Sequence, residues 1–215
     1  MPISIPVIDM VEIGAGGGSL AHVDELQQIR VGPRSSGSYP GPACYDLGGA
    51  SPAVTDADLI LGKLEENSFA GGSMKLNKSN SEKALKSNIG DKLSISAVLA
   101  AHGVSEVVDE NMANAARVHA VENGEDLSDY TMIAFGGAAP LHASRMCEKL
   151  GINSFLIPEG AGVGSAIGFL YAPFSFEATR TYYTKLSNFN AALTKKIFNS
   201  LEYEAIQFVK TVSYT

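Results

Sequence analysis

The stretch TMIAFGGAAPLH at residues 131–142 joins an apolar run to a glycine turn and to the start of a helix. Its first five residues predict a buried strand, and residues 141–150 predict a helix that follows the turn at 136–140. Residues 154–157 predict a second strand, which a right-handed crossover would place parallel to the first. A βαβ unit of this kind indicates the α/β fold class.

The amino-terminal part of the chain has the composition of strands and glycine-rich loops. Residues 3–31 contain alternating apolar positions and predict strands, with a hairpin around Asp24 and Glu25. A glycine cluster interrupts these strands at residues 14–19. Residues 32–49 contain five Gly and three Pro, a density that predicts a long loop.

Helical periodicity recurs through the rest of the chain. The predicted helices are a short one capped by Thr55 and stopping near Gly62, then residues 81–88, 94–101, 104–123 and 162–171, and an amphipathic helix near the carboxyl end. Gly103 is expected to separate the third helix from the fourth, and Gly124 is expected to end the fourth.

Charge and composition exclude several classes of protein. The net charge is −7 and no run of Lys or Arg is present, so nucleic acid is not an expected partner. No apolar stretch approaches the roughly 20 residues that span a bilayer, and the first residues lack the pattern of a secretion signal. Cys44 and Cys147 have no metal-type spacing, which favours a reduced, cytoplasmic protein.

Two glycine-rich segments carry the first chemical hypothesis. Residues 136–138 follow a predicted strand and precede a helix, where free amides and the helix dipole suit a phosphate or a nucleotide. Residues 14–19 suit an anion-binding nest but match neither the P-loop nor the Rossmann pattern. A tight strand-to-helix turn and a strained hairpin, both without a ligand, remain the alternatives.

Several polar side chains are further candidates. Arg30 and Arg34 suit an anion clamp, although a structural loop with solvated arginines is the commoner arrangement. Cys44 is expected to be a buried, inert thiol rather than a nucleophile. His22 and Asp24 lie on one strand face, a pattern that is compatible with a metal but common without one.

Three more candidates lie beside the glycine segments. Asp9 and Glu12 precede residues 14–19 and could act as acid, base or metal ligands, or simply be solvated carboxylates at a strand end. His142 lies in the first turn of the helix that follows residues 136–138, where it is placed to touch a ligand.

Four segments, taken in their order and spacing, resemble the hydantoinase A/oxoprolinase family from about residue 5 to about residue 185. They are IGAGGGS at 13–19, RVGPRS at 30–35 with PGPACY at 40–45, VTDADL at 54–59, and AFGGAAPLHA at 134–143. The combination is specific to the family, whereas each motif alone is not.

The resemblance implies part of an actin/sugar-kinase-like (ribonuclease H-like) domain, with a mixed sheet, glycine-rich loops and flanking helices beside a nucleotide cleft. It implies an ATP-dependent hydrolase that opens cyclic amides of the hydantoin or 5-oxoproline type, or a subunit of an acetone or acetophenone carboxylase. Phosphorylation of an amide or enolate oxygen would activate the substrate. The implied cofactor is ATP or ADP with Mg, with any further metal unknown. The implied partners are a cyclic amide or ketone and a larger hydantoinase B-type subunit.

The resemblance also implies site residues and domain bounds. The residues expected to bind the nucleotide or line its cleft are Gly14, Gly16, Gly17, Gly18, Ser19, Gly136, Gly137 and Ala138. The residues expected to be catalytic are Asp9, Glu12, Asp56 and His142. Residues 1–185 are expected to be a truncated, carboxy-terminal portion of the nucleotide-cleft domain, and residues 186–215 an amphipathic helix that begins a further, incomplete region.

The chain also departs from the family pattern. Val11 and Glu12 stand where hydantoin-opening members commonly carry a His-Thr pair, which favours the carboxylase-type alternative, and Ala139 replaces a usual glycine. The Gly-Gly-Thr and Gly-Gly-Thr-Ser-Thr-Asp phosphate motifs of the family do not occur, so the isolated chain is not expected to hydrolyse ATP. A non-catalytic module that docks on a larger partner is the third hypothesis.

Overall fold

The computed structural model describes residues 10–173 and 175–212. The described chain forms two compact units. The first is Met10–Ile167, and it contains all the strands described and the first five helices. The second contains the described residues from Gly168 onward. The domain boundary expected at residue 185 stays a prediction.

An antiparallel hairpin opens the first unit. Strand β1 (Ser19–Val23) pairs with β2 (Ile29–Ser35), with Ala21 opposite Val31. Asp24 folds the turn, because its Oδ1 accepts hydrogen bonds from the amides of Leu26 and Gln28, each at 2.9 Å. The hairpin predicted around Asp24 is therefore confirmed.

The strand prediction for residues 3–31 and the loop prediction for residues 32–49 need correction. Residues 10–18 contain bends and a turn but no strand, and residues 3–9 lie outside the described part. Strand β2 runs on to Ser35, because its pairing with β1 continues to Ser19. A short 3₁₀ helix at Ala43–Tyr45 also lies within the expected loop.

Helix α1 (Val54–Ile60) starts two residues earlier than an N-cap at Thr55 would give. The N-cap is Ala53 rather than Thr55, because the carboxylate of Asp56 accepts the Ala53 amide at 2.8 Å. Helix α2 (Lys78–Leu85) is capped by Asn77 and continues through a π-helical turn at Lys86–Gly90 and a short α3 (Asp91–Leu93). The helix predicted at 81–88 is thus present, but it begins earlier.

Helix α4 (Ala97–Asn123) is one continuous helix of 27 residues. The prediction that Gly103 separates two helices is wrong. A side chain at Gly103 would meet Ile29 Cδ1 at 2.5 Å, so glycine allows β2 to pack closely on the helix without breaking it. Gly124 ends the helix in the left-handed conformation, as predicted.

The predicted βαβ unit is confirmed, with shorter strands. Strand β3 (Met132–Ile133) lies parallel to β4 (Phe155–Leu156), and α5 (Ala139–Leu150) connects them. Both parallel and antiparallel pairing therefore occur, in two separate two-stranded sheets, within a mixed α/β fold.

Two further helices follow. Helix α6 spans Gly164–Tyr171, and the amphipathic α7 spans Ala191–Val212. In the second unit, the rings of Phe176 and Phe208 stack with centroids 4.0 Å apart, which packs α7 against the segment before it. No helix among residues 10–173 and 175–212 is both long enough and apolar enough to cross a bilayer.

The core of the first unit lies around α4. Its buried side chains come from the hairpin, α1, the α2 region and α4; they include Ala21, Val31, Val54, Leu85, Ile89, Val104 and Val108. A smaller cluster of Cys44, Leu59 and Leu76 lies on the outer side of α1 and anchors the 3₁₀ helix. Helix α1 therefore contributes to both clusters, and its position is fixed from two sides.

The contact between Gly103 and Ile29 predicts a measurable coupling. Gly103→Ala alone should change the free energy of unfolding little, because overlap with Ile29 Cδ1 offsets the roughly 1 kcal/mol that Ala gains over Gly in a helix. In an Ile29→Val background, which lacks Cδ1, the same substitution should stabilise the chain by about 1 kcal/mol. Urea unfolding of the wild type, the two single variants and the double variant measures this coupling. An equal effect in both backgrounds would contradict the proposed contact.

Candidate functional site

The turn between β3 and α5 is open to solvent. Gly136 adopts a left-handed conformation with φ +102°, and its amide donates to the carbonyl of Ala161 at 2.7 Å. A Cβ built on Gly136 or Gly137 would meet no atom within 4 Å. No side chain of the described residues caps α5 at Ala138. Pro140 has no N–H, and the Leu141 amide donates to the Ala138 carbonyl at 3.0 Å. The amides of Gly137, Ala138 and Ala139 therefore remain without an acceptor among the described residues, at the end of the helix where its dipole favours an anion.

The glycine cluster at residues 14–19 is folded by its own serine. The Gly16 amide donates to Ser19 Oγ at 3.0 Å, and that hydroxyl donates to the Gly14 carbonyl at 3.3 Å. Thr55 binds the Gly17 carbonyl twice, through its amide at 2.8 Å and its Oγ1 at 2.9 Å. Helix α1 thus holds the glycine cluster through the carbonyl of Gly17. The amides of Gly17 and Gly18 remain without an acceptor among the described residues.

The two glycine segments lie next to each other. A Cβ built on Gly17 would lie only 3.6 Å from the Cβ of Ala138. More than a hundred residues of chain separate these positions, and α1 and α5 bring them together. We call the surface formed by residues 16–18 and 136–138 the amide ledge. It has little side-chain bulk and contains four backbone amides without an acceptor among the described residues, those of Gly17, Gly18, Gly137 and Ala138. Phosphate oxygens are the natural ligands of such a surface.

A buried ionic cluster lies behind the amide ledge. His142 Nδ1 is 2.7 Å from Asp109 Oδ1, and His142 Nε2 is 3.4 Å from Asp58 Oδ2. Lys63 Nζ lies 3.1 Å from Asp58 Oδ1 and donates to Ser105 Oγ at 2.8 Å. The side chains of Asp58, Asp109 and His142 are each no more than 2% exposed. The cluster therefore ties α1, α4 and α5 together away from water.

The charges of this cluster balance when His142 is protonated. Both ring nitrogens lie near carboxylate oxygens, which accept hydrogen bonds only. A proton on Nδ1 satisfies the hydrogen bond to Asp109, and a proton on Nε2 gives the ring the positive charge that attracts Asp58. Burial of the ring lowers the pKa of His142, but its interactions with Asp109 and Asp58 outweigh that effect and raise the pKa to about 9. Two cations, His142 and Lys63, then offset two carboxylates. The Asp58 contacts have ion-pair distances without hydrogen-bond alignment, so Asp58 is held mainly by charge.

Asp56 is a structural centre of the neighbouring loop. Its fully buried carboxylate accepts hydrogen bonds from the amides of Ala43, Cys44 and Ala53 at 2.8–3.1 Å and from Ser81 Oγ at 2.7 Å. These four donors occupy the carboxylate and fold the 3₁₀ helix onto α1. Asp56 was predicted to be catalytic, but both oxygens of its carboxylate already accept hydrogen bonds from the protein.

The other predicted residues lie apart from the cluster. Glu12 is exposed, and Asp9 lies outside the described residues. His22 is exposed on β1, and Asp24 is bound by Arg30 Nε at 2.7 Å. Among the described residues, no group of three or more His, Cys, Asp or Glu side chains has the arrangement of a metal site.

Cys44 has the environment of a structural thiol. The side chain is fully buried, and burial together with the nearby Asp56 carboxylate raises the thiol pKa well above its usual range. At neutral pH the sulfur is therefore protonated and poorly nucleophilic, as the sequence analysis expected of an inert thiol.

Sequence reasoning missed the partners of His142. Asp58 and Asp109 are acidic residues inside otherwise apolar helix faces, and an acid in such a position needs a buried partner. That pattern could have marked them as buried polar residues. It could not identify the partner, because His142 and Asp109 are 33 residues apart in sequence.

The fold and the amide ledge define a mixed α/β protein with a backbone surface suited to phosphate groups. Comparison with known proteins gives the family. A family model described as hydantoinase/oxoprolinase matches residues 1–178. The chain belongs to the hydantoinase/oxoprolinase family, which includes ATP-dependent cyclic-amide hydrolases and carboxylase subunits.

Two relatives and one solved structure illustrate the range of the family. The caprolactamase subunit alpha of Pseudomonas jessenii is 39% identical over 186 residues, which are 86% of this chain and 27% of that protein. The acetophenone carboxylase gamma subunit of Aromatoleum aromaticum is 44% identical over 141 residues, 65% of this chain and 19% of that protein. The crystal structure of ATP-dependent caprolactamase from Pseudomonas jessenii superposes with TM-score 0.79 at 35% identity, over 95% of this chain and 30% of that one. The chain thus spans less than a third of the length of these relatives.

The ionic cluster predicts how stability depends on pH. The pKa of His142 rises from 6.5 to about 9 on folding, so the cluster's contribution is complete below about pH 6.5 and is lost as the pH rises through 9. Thermal unfolding of the wild type should therefore show a falling melting temperature from neutral pH to pH 10. His142→Gln should lower the melting temperature at neutral pH and flatten this dependence.

His102 is exposed and provides a matched control. In His102→Gln the melting temperature should fall with rising pH as steeply as it does in the wild type. An unchanged slope in His142→Gln would show that His142 is not charged in the folded chain.

Proposed function

We propose that this chain forms one wall of the ATP site of an enzyme that opens cyclic amides by phosphoryl activation. The observation that carries the proposal is the amide ledge, where the free amino end of α5 lies beside the glycine cluster. Its unobstructed N–H groups match the oxygens of an ATP or ADP polyphosphate. When bound with Mg, ATP would supply a phosphoryl group to the amide oxygen, which makes the carbonyl carbon a better electrophile for water.

The residues of the chain would bind and position rather than react. Gly17, Gly18, Gly137 and Ala138 would donate backbone hydrogen bonds to phosphate oxygens, with no side chain in the way. Thr55 would keep the glycine cluster in place through the Gly17 carbonyl. His142 would act as a positioning residue, because it is buried and holds α5 through Asp109 and Asp58. Glu12, which is exposed, would be available as an acid or base at the edge of the cleft.

A carboxylase subunit is the second candidate. Val11-Glu12 in place of a His-Thr pair supports it, and so does the similarity to the acetophenone carboxylase gamma subunit. In that reaction the phosphoryl group would go to an enolate oxygen, and the same amide ledge would hold the nucleotide. Both candidates imply a cytoplasmic protein that assembles with a larger hydantoinase B-type subunit. The similar proteins are themselves subunits of multi-subunit enzymes, which supports a hetero-oligomer.

Two glycines allow a test of nucleotide binding without loss of the fold. Gly16 and Gly137 have ordinary backbone angles and no atom within 4 Å of an added Cβ, so Gly16→Val and Gly137→Val should leave the melting temperature nearly unchanged. Each valine would occupy the space above the amides, and MgADP affinity should fall by about tenfold or more. Calorimetric titration with MgADP measures this loss.

Gly168→Val is the matched control. Gly168 also has an ordinary conformation and open space, but it lies in α6 outside the ledge. This variant should bind MgADP like the wild type. Equal affinities in all four proteins would contradict the ledge as the nucleotide site. A wild-type chain that binds no MgADP would favour the non-catalytic interaction module.

The substrate class separates the two enzymatic candidates. With a larger partner subunit, the chain should support ADP formation in response to a hydantoin, 5-oxoproline or caprolactam without bicarbonate. Without a partner it should not turn over ATP. ADP formation that requires both a ketone and bicarbonate would instead assign the chain to the carboxylase class. Gly137→Val should abolish either activity, which links the turnover to the ledge.

A further inference from the structure

A second concave site lies against the hairpin. It is a cavity of about 490 Å³ between β1, β2 and the segment that leads into α3. Its floor is formed by β1, including the apolar Ala21 and Val23. Its polar wall is formed by His22, Arg34, Asn88 and Lys92. The volume lies in the range of sites that bind small metabolites.

The cavity is basic within an acidic protein. Arg34, Lys92 and His22 line it, and no Asp or Glu does, although the chain carries a net charge of −7. The two nearest acids along the sequence are already paired, since Asp91 binds Lys86 at 2.5 Å and Asp24 binds Arg30 at 2.7 Å. Among the described residues, neither Arg34 nor Lys92 has a carboxylate within 4.0 Å. Their charges are therefore available to a ligand.

The walls of the cavity are held by backbone and side-chain contacts. Asn88 Nδ2 donates to the carbonyl of Ala84 at 2.9 Å and to that of Ala50 at 3.2 Å, which fixes the wall beside Ser51. Gly32 adopts φ +73°, and any Cβ there would lie 2.4 Å from the Gly14 carbonyl oxygen. The backbone that leads into Arg34 is therefore tightly confined. The two cations of the cavity thus come from separate elements, Arg34 from β2 and Lys92 from α3.

We propose that this cavity binds a small anion with carboxylate or phosphate groups, clamped between Arg34 and Lys92. A guanidinium can bind two oxygens of one carboxylate or phosphate, and an ammonium adds a further positive charge. His22 and the Ser51 hydroxyl add polar groups to the rim of the site. The site is separate from the amide ledge, because the two share no lining residue, and it does not depend on the proposed ATP function.

Titration of the 215-residue chain with inorganic phosphate and, separately, with citrate tests the proposal. Saturable binding of at least one anion is expected below about 10 mM, and added NaCl should weaken it because the contacts are ionic. Arg34→Gln and Lys92→Gln should each reduce the affinity by about tenfold. Phosphate in preference to citrate would indicate a phosphorylated ligand, and the reverse preference a polycarboxylate.

Arg30→Gln is the matched control, since Arg30 lies on the same strand but binds Asp24. It should retain the wild-type affinity. All of these titrations are made in a Gly137→Val background, so that phosphate bound at the amide ledge does not contribute to the signal. Melting temperatures establish that each variant is folded. Unchanged affinity in an Arg34→Gln/Lys92→Gln double variant would overturn the proposal, as would the absence of saturable binding of both anions by the folded wild type.

Discussion

The first unit depends on an imidazolium held between two carboxylates inside the protein. Removing Asp58 and Asp109 from water costs several kcal/mol for each ion, so neither would be tolerated alone. His142 and Lys63 supply the opposite charges, and Ser105 bridges Lys63 to Asp109. Because these residues come from α1, α4, α5 and the segment after α1, the charge balance is satisfied only when those helices occupy one arrangement. Buried polar networks of this kind rigidify the elements that they join.

The position of the amide ledge follows from that arrangement. Helix α1 carries Asp58 on its buried side and Thr55 at its first turn, so fixing α1 also fixes the carbonyl of Gly17. Helix α5 carries His142 one turn after its start, so fixing α5 also fixes the amides of Gly137 and Ala138. A surface made of backbone groups has no side chains that can adjust to a ligand. Its geometry must come from the helices beneath it, and preorganised donors of this kind are the ones that bind developing or fixed negative charge best.

The sequence predicted the local elements well and the long-range contacts poorly. The hairpin around Asp24 and the βαβ unit were predictable, because turn chemistry and apolar runs are local properties. Gly103 was predicted to break the helix, because glycine lowers helix propensity. Only the close packing of Ile29 shows why a glycine stands inside a continuous helix. Thr55 was misplaced as an N-cap, because its hydroxyl binds Gly17 instead.

The candidate site was predictable in part for the same reason. Both glycine segments could be named from the chain, but their proximity depends on helix packing. His142 was expected to touch a ligand from its position near the turn. It is instead buried between Asp58 and Asp109, where it holds α5 in place. No periodicity in the sequence identifies such partners.

The protonation state of His142 is the most direct test of the buried charge balance among His142, Asp58 and Asp109. Nitrogen NMR of the folded chain, with the His142 ring assigned by comparison with His142→Gln, reports on each ring nitrogen separately. Both nitrogens should carry protons at neutral pH, and the ring should lose one only as the pH approaches about 9. A neutral ring with one unprotonated nitrogen at neutral pH would contradict it, because the buried carboxylates of Asp58 and Asp109 would then lack the charge that holds α1, α4 and α5 together.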